Sequence, residues 1–304
     1  MWQIVLRSSF FAIPAIERSS PSLQGLILNQ PLASPSLWKP DLSVSQSQNT
    51  TTKPGAFEIK FLIEESELEK LIPSVAARMQ LDPHAHPQTG GYTVEGIYFE
   101  TLERDVFRRS PGYSRRKFRI RRYSEGPNVF LERKSKRKGV VSKRRTLLET
   151  SALVNLLDST FERTQPILLR IDEETLRGQS GPSEMDWFSR RIERLKLRPL
   201  LCLSYDRVAF LQMDNSGPIR LTMDRALGCC TLEQSQFPSK VAYQPFLEGN
   251  CVVEMKYRES IPTVFRAIID EFKLVSRPVS KFRNAIVAAG LDSPPCDPAS
   301  EGPN

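Results

Sequence analysis

Lys117-Phe118-Arg119-Ile120-Arg121 decides how this chain is read. Side chains two apart on a strand share a face, so this stretch sets three cations on one side and Phe118 with Ile120 on the other. The same ionic alternation recurs outward from it. Glu58 and Lys60 share a face against Ile59 and Phe61, and Glu132 and Lys134 pair against Leu131. Arg220, Thr222 and Asp224 alternate with Leu221 and Met223; Glu254, Lys256 and Arg258 alternate with Val253, Met255 and Tyr257. A half-exposed antiparallel sheet also alternates, with its polar face to water. Two features favour an enclosed lumen instead. The polar faces are almost purely ionic, and Glu-x-Lys recurs on three separate strands (Glu58/Lys60, Glu132/Lys134, Glu254/Lys256). Closing such a sheet rings cations around one lumen, and their repulsion is costly unless a polyanion sits inside.

The flanking sequence supplies the rest of an α+β domain, an antiparallel β-barrel with flanking helices. Strands are expected at 57–63, 92–99, 116–123, 128–134, 140–147, 200–211, 219–226 and 251–258. Ser66 with Glu69 reads as a capping box opening a helix that Pro73 bends. Helices follow at 150–161 and 184–197, and Pro262 is placed at the first helical position of 262–274. Ser280 is expected to cap a last helix ending near Gly290. Residues 1–54 are rich in Ser, Pro, Gln and Asn and read as a disordered leader; 291–304 read as a disordered tail; the domain is 55–290.

Charge distribution says more than the total of +8 over 304 residues. From Arg104 to Arg145 there are 17 Lys/Arg against three acids, a local +14 that leaves −6 for the remainder. Such concentration points to a polyanionic partner. No apolar run reaches the roughly 20 residues of a membrane span, and the N-terminus carries no clean cleavage site, so a cytoplasmic protein is expected. Five cysteines without framework spacing read as reduced, mostly buried thiols. His84 and His86 lie in a loop without a third ligand. Gly90-Gly91 is read as a turn, and Trp187-Phe188 as helix core. The basic run from Lys134 to Arg145 is read as a solvated hairpin tip or an electrostatic funnel. No nucleic acid is expected, because Phe118 and Phe130 are placed opposite the charges rather than among them.

In order along the chain, FEIKF (Phe57 to Phe61), IYFET, KFRIRRY, FLERKSK, VVSKRR, SYDRVAF, IRLTMD, VVEMKY and VSKF (Val279 to Phe282) resemble one family. It is the catalytic domain of the vacuolar transporter chaperone (VTC) complex, a polyphosphate polymerase family of the triphosphate tunnel superfamily. The resemblance runs over about 56–290. It implies a tunnel that binds ATP, pyrophosphate and inorganic polyphosphate, and a divalent metal, Mn²⁺ or Mg²⁺. By that resemblance Lys60, Arg119, Arg121, Lys134, Arg207, Arg220, Lys256 and Lys281 contact the reacting phosphates. Lys143, Arg145 and Tyr205 hold substrate, and Glu254 ligates the metal. Glu100 stands where the family's usual residue is Asp. Hydrolytic members open with Glu-x-Glu-x-Lys, whereas here only Glu58-Ile59-Lys60 remains. The yeast-type complexes add a phosphate-sensing helical domain and membrane spans that this sequence does not carry, so a membrane or accessory partner is expected to supply them. Two function classes stay open: a polymerase (or, less favoured, an inorganic triphosphatase), and a polyanion-binding module without turnover.

Overall fold

The computed structural model describes residues 56–114, 116–124, 126, 128–137, 140–150, 183–232, 236–238 and 242–293. One antiparallel sheet dominates. In chain order its strands are β1 (Phe57–Glu64), β2 (Gln80–Leu81), β3 (Tyr92–Glu100), β4 (Arg116–Tyr123), β5 (Asn128–Arg137), β6 (Val140–Glu149), β7 (Arg198–Asp214), β8 (Gly217–Thr231), β9 (Gln244–Pro245) and β10 (Asn250–Tyr257). The hydrogen-bonded order is β1-β10-β8-β7-β3-β4-β5-β6, with β2 beside β7 and β9 beside β8. The helices are α1 (Glu65–Ala76), α2 (Asp105–Arg108), α3 (Ser183–Arg194), α4 (Thr263–Glu271) and α5 (Lys281–Ala288).

Period-two alternation explains where the core sits. Phe61 and Ile63 of β1, Val253 and Met255 of β10, and Leu221 and Met223 of β8 face outward into one apolar layer, covered by Leu68, Leu71, Ile72 and Val75 of α1 and Phe265 and Ile268 of α4. Phe118 and Ile120 of β4 enter a second layer with Phe188 and Ile192 of α3 and Ala285 and Ile286 of α5. The first layer lies on the face away from the ionic rows, whereas the second also takes in Tyr98 and Tyr205 from the ionic face, with Phe282 of α5 stacked on Tyr98. The sheet curls without closing its ladder: among the described residues β1 and β6 are its two edges. Side chains span the gap, since Lys134 Nζ on β5 donates to Glu58 Oε2 on β1 at 3.0 Å.

Several local expectations need correction. The helix after β1 begins at Glu65, with Glu64 at the N-cap and no side-chain cap bond; Ser66 reaches back to Glu64 rather than forward to Glu69. The chain turns directly out of β1 there, two residues too early for a capping box on Ser66. Pro262 is the N-cap of α4 rather than its first helical residue, and α4 ends at Glu271. Ser280 does cap α5, its hydroxyl accepting from Arg283 N. The helix expected at 150–161 lies, from 151 on, outside the described residues, as do 1–54. Leu291 belongs to the packed unit, for its carbonyl accepts from Arg104 Nε at 2.9 Å. Cys202, Cys229, Cys230 and Cys251 are buried free thiols, while Cys296 lies outside the described residues. Phe130 is on the lumen face, because it opposes Arg121 directly across β4 and β5.

Candidate functional site: a cation-lined lumen

Antiparallel register places the ionic faces together. Lys60 opposes Glu254, and Glu58 opposes Lys256 across β1 and β10; Thr222 and Arg220 of β8 oppose Glu254 and Lys256 in turn. On the other half Tyr98, Arg119, Glu132 and Arg145 form one row across β3 to β6, and Lys117, Lys134 and Lys143 form the next. The twelve residues proposed from sequence fall into three contact groups on the ionic side of the sheet and at the start of α5.

The first group surrounds Glu132, whose side chain is fully buried. Lys143 Nζ lies 2.6 Å from its carboxylate, and the Arg119 and Arg145 guanidinium groups each reach to 2.7 Å. Burial pushes the Glu132 carboxyl up, but Arg119, Arg121, Lys143 and Arg145 outweigh it and hold the group well below the usual carboxylate range. Arg121 Nε is 4.0 Å from Glu132 and is buried without a hydrogen-bond partner among the described residues. Tyrosine hydroxyls steady the arginines: Tyr98 accepts from Arg119 at 3.0 Å, Tyr205 from Arg121 at 3.2 Å and Tyr123 from Arg145 at 2.9 Å.

The second group joins β1, β8, β10 and α5. Glu254 accepts from Lys60 at 2.7 Å and from Lys281 at 2.9 Å, with Lys256 at 3.6 Å. Lys281 also lies 2.6 Å from Asp224, which Arg207 grips through two bonds of 2.6 and 2.7 Å. Such two-pronged Arg–carboxylate contacts are geometrically specific. Burial and Glu254 push the Glu58 carboxyl up, yet Lys256, Lys60 and Lys134 pull it down to about 2. The third group is Arg220 with Asp82 at 2.7 Å and the Tyr92 hydroxyl at 2.6 Å.

Eleven cations (Lys60, Lys117, Arg119, Arg121, Lys134, Lys143, Arg145, Arg207, Arg220, Lys256, Lys281) thus meet five carboxylates (Glu58, Asp82, Glu132, Asp224, Glu254). The imbalance shows in titration. Burial first, then Lys60 and Lys134, drive Lys117 down to about 7. Lys256 also falls to about 7, through burial that its carboxylate neighbours do not offset, although about 36% of its side chain stays open to lumen water. Lys143 falls to about 8, chiefly by burial. An anion in the lumen favours the charged ammoniums, so the bound state holds more protons than the free one at pH 7–8. Binding of a long phosphate chain is expected to take up protons there and to tighten as pH falls from about 8.5 to 6.5. Calorimetry in buffers of different ionisation enthalpy checks this; no dependence on buffer would refute it.

Among the described residues no group of three or more His, Cys, Asp and Glu converges on a metal position, and His84 and His86 remain in their loop. The donors fit a cation brought with phosphate rather than caged by protein. Glu254 is a hard carboxylate, and the directly opposed Thr222 hydroxyl is buried without a partner among the described residues.

The sequence reading passed over Glu58, Glu132 and Asp224 as anchors of the cations, and over Tyr92, Tyr98 and Tyr123 altogether. Parity on β3 and β4 was the available signal, since each of these tyrosines falls on a lumen-facing position. Asp82 follows β2 in a loop, where no period marks it. Glu100 serves structure: it accepts from the backbone N–H of Thr101, Val106 and Phe107 and so ties α2 to β3.

A curled antiparallel sheet whose inner face carries this excess of Lys and Arg is suited to a polyanion such as a phosphate chain. The VTC domain family model matches residues 56–289, and the chain belongs to that family. No curated protein matches it. Among solved structures, a candidate adenylate cyclase from Bacillus halodurans is similar at 16% identity, covering 77% of this chain and 98% of that one with a TM-score of 0.43. A candidate adenylyl cyclase from Hippeastrum, described as having a dominant triphosphatase activity, is 13% identical over 79% and 99% with a TM-score of 0.45. The PH1819 protein of Pyrococcus horikoshii is 10% identical over 77% and 98%, at 0.37.

Proposed function

We propose that this chain is an ATP-dependent polyphosphate polymerase. The observation that carries the reading is the cation excess of the lumen, eleven against five, held in place by carboxylates, tyrosines and, at Lys117, the Ser280 hydroxyl. Family membership agrees with it. Polymerase is favoured over triphosphatase because position 56, where hydrolytic relatives set the first carboxylate of their opening motif, is Ala56.

Phosphoryl transfer asks a protein for positioning and charge neutralisation. A terminal phosphate oxygen of the acceptor chain attacks the γ-phosphorus of ATP. The new P–O bond forms as the bond from that phosphorus to the β–γ bridging oxygen breaks, and ADP leaves with the electron pair. The attacking oxygen is already an anion, so no general base is required. Arg119, Arg121 and Arg207 offer forked donors to non-bridging oxygens. Lys60, Lys134, Lys256 and Lys281 follow the chain as point charges, and Arg220, held by Asp82, keeps its place at one side. Lys143, Arg145 and Tyr205 line the path of the substrate chain. Glu254 with Thr222 would hold the divalent ion, which supplies charge neutralisation at the transferred phosphoryl group.

Incubation with ATP, Mn²⁺ and a pyrophosphate primer is expected to give long phosphate polymer and ADP. Orthophosphate or tripolyphosphate breakdown in its place would make the protein a hydrolase. No turnover with tight polyphosphate binding would make it a binding module.

A further inference from the structure

The back of β4–β6 carries a second basic feature that the lumen does not use. Strands present successive side chains to opposite faces, so Arg116, Arg133 and Arg144 point away from the cations just described. Arg133 and Arg144 are directly opposed across β5 and β6, and Arg116 is the diagonal neighbour of Arg133 on β4. Like charges directly opposed on a sheet are unfavourable. Arg191 on α3 adds a fourth: burial first, then Arg191, Arg144 and Arg116, lower the Arg133 guanidinium below its ordinary value. Arg144 lies over the Trp187 ring at 4.5 Å, and Trp187 is fixed in turn by a 2.9 Å bond from its Nε1 to Thr146. Arg133 Nε is buried without a hydrogen-bond partner among the described residues. No carboxylate among those residues pairs with Arg116, Arg133 or Arg191.

This cluster lies one side chain away from the lumen. Lys143 and Arg145 face inward and Arg144 outward on β6, an edge strand among the described residues. Cations therefore continue round that edge from one face to the other. We propose that Arg116, Arg133, Arg144 and Arg191 form an outer phosphate-chain site, which takes the part of an inorganic polyphosphate chain that extends beyond the lumen round the β6 edge. The site rests on the reading of the lumen as a polyphosphate site. It suits a slender anion better than a flat anionic membrane, because Arg133 and Arg191 are half-buried between α3 and the sheet and cannot lie flush against a bilayer.

A short chain fills the lumen alone, whereas a long one reaches both sites, and chain length separates the two. Affinities of tripolyphosphate and of a polyphosphate of about a hundred residues are compared for the wild type, for the Arg133→Gln/Arg191→Gln variant, and for Arg133→Lys/Arg191→Lys. The glutamine variant is expected to bind tripolyphosphate as the wild type does, and to bind the long chain about tenfold more weakly at 0.15 M salt, with a log–log salt slope shallower by one to two. The lysine variant keeps most of the long-chain affinity. Equal affinity of the wild type and glutamine variant for the long chain would overturn the outer site. So would an equal loss for both chain lengths, or a loss confined to binding of phosphatidylserine vesicles. Failure of the wild type to bind tripolyphosphate at all would instead overturn the reading of the lumen.

Discussion

Glu132→Gln is expected to lower the melting temperature of the ligand-free protein by about 10 °C, and saturating tripolyphosphate to restore most of that loss. The carboxylate is fully buried and holds Arg119, Lys143 and Arg145 within 2.7 Å. The amide keeps the shape and removes the charge. Three cations at contact distance, and Arg121 just beyond, then repel one another in a site of low polarity. Removing one partner of a buried ionic group costs about 3–5 kcal/mol, and a domain of this size loses about 2–4 °C per kcal/mol. The restoration is the informative part. A ligand that binds only the folded state stabilises it by mass action, and a polyphosphate oxygen can stand where the carboxylate charge was. Thermal unfolding with and without tripolyphosphate reads both effects. A variant as stable as the wild type would mean that the cations disperse into lumen water and that Glu132 organises nothing. A destabilised variant that tripolyphosphate fails to restore would mean that the lumen does not receive phosphate at this point.

The strands and the ionic faces were legible because their period is short and unbroken. Lys117, Arg119 and Arg121 need only the rule of two to share a side, and every strand expected from sequence is found within a few residues of its place. What parity cannot give is the partner across the sheet. Glu132 and Arg119 belong together because β4 and β5 are in one register, and Glu254 meets Lys281 only because the start of α5 reaches the lumen. These are long-range facts, carried by no local pattern. Phe130 was misplaced although parity was enough to place it, since it precedes Glu132 by two. Closure is the subtlest point. The sequence suggests a barrel, and the chain forms a curled sheet with two edges, β1 and β6, among the described residues, whose β1 is tied to β5 by the Lys134–Glu58 pair rather than by a backbone ladder. A ladder would have fixed the width of the lumen. An ion pair leaves it able to widen around a ligand whose charges compete for the same lysine.

If the chain is the proposed polymerase, with Glu254 as its metal ligand, Glu254→Gln is expected to cut polymer synthesis by about a hundredfold or more while polyphosphate affinity holds or rises. The two effects have opposite signs because the residue faces two kinds of charge. Toward Lys60 and Lys281, at 2.7 and 2.9 Å, it is a competitor of the phosphate chain. Its loss takes one carboxylate partner from each ammonium, leaving Lys60 with Glu58 and Lys281 with Asp224, and removes a negative charge from the path, so binding does not weaken. Toward a divalent ion carried with ATP it would be a hard oxygen donor, opposite the Thr222 hydroxyl, which has no hydrogen-bond partner among the described residues. An amide oxygen is a poor replacement there. Loss of preorganised charge stabilisation at a transferring group commonly costs about 10²–10³ in rate. Asp224 still pairs with Lys281 at 2.6 Å, so the lysine keeps an anchor and the local fold is retained. Synthesis assayed beside equilibrium binding on the same folded variant decides the matter. If both fall together, Glu254 is a strut for the lysines. If synthesis persists with binding unchanged, the ion is held elsewhere, and the charge of the lumen alone drives the transfer.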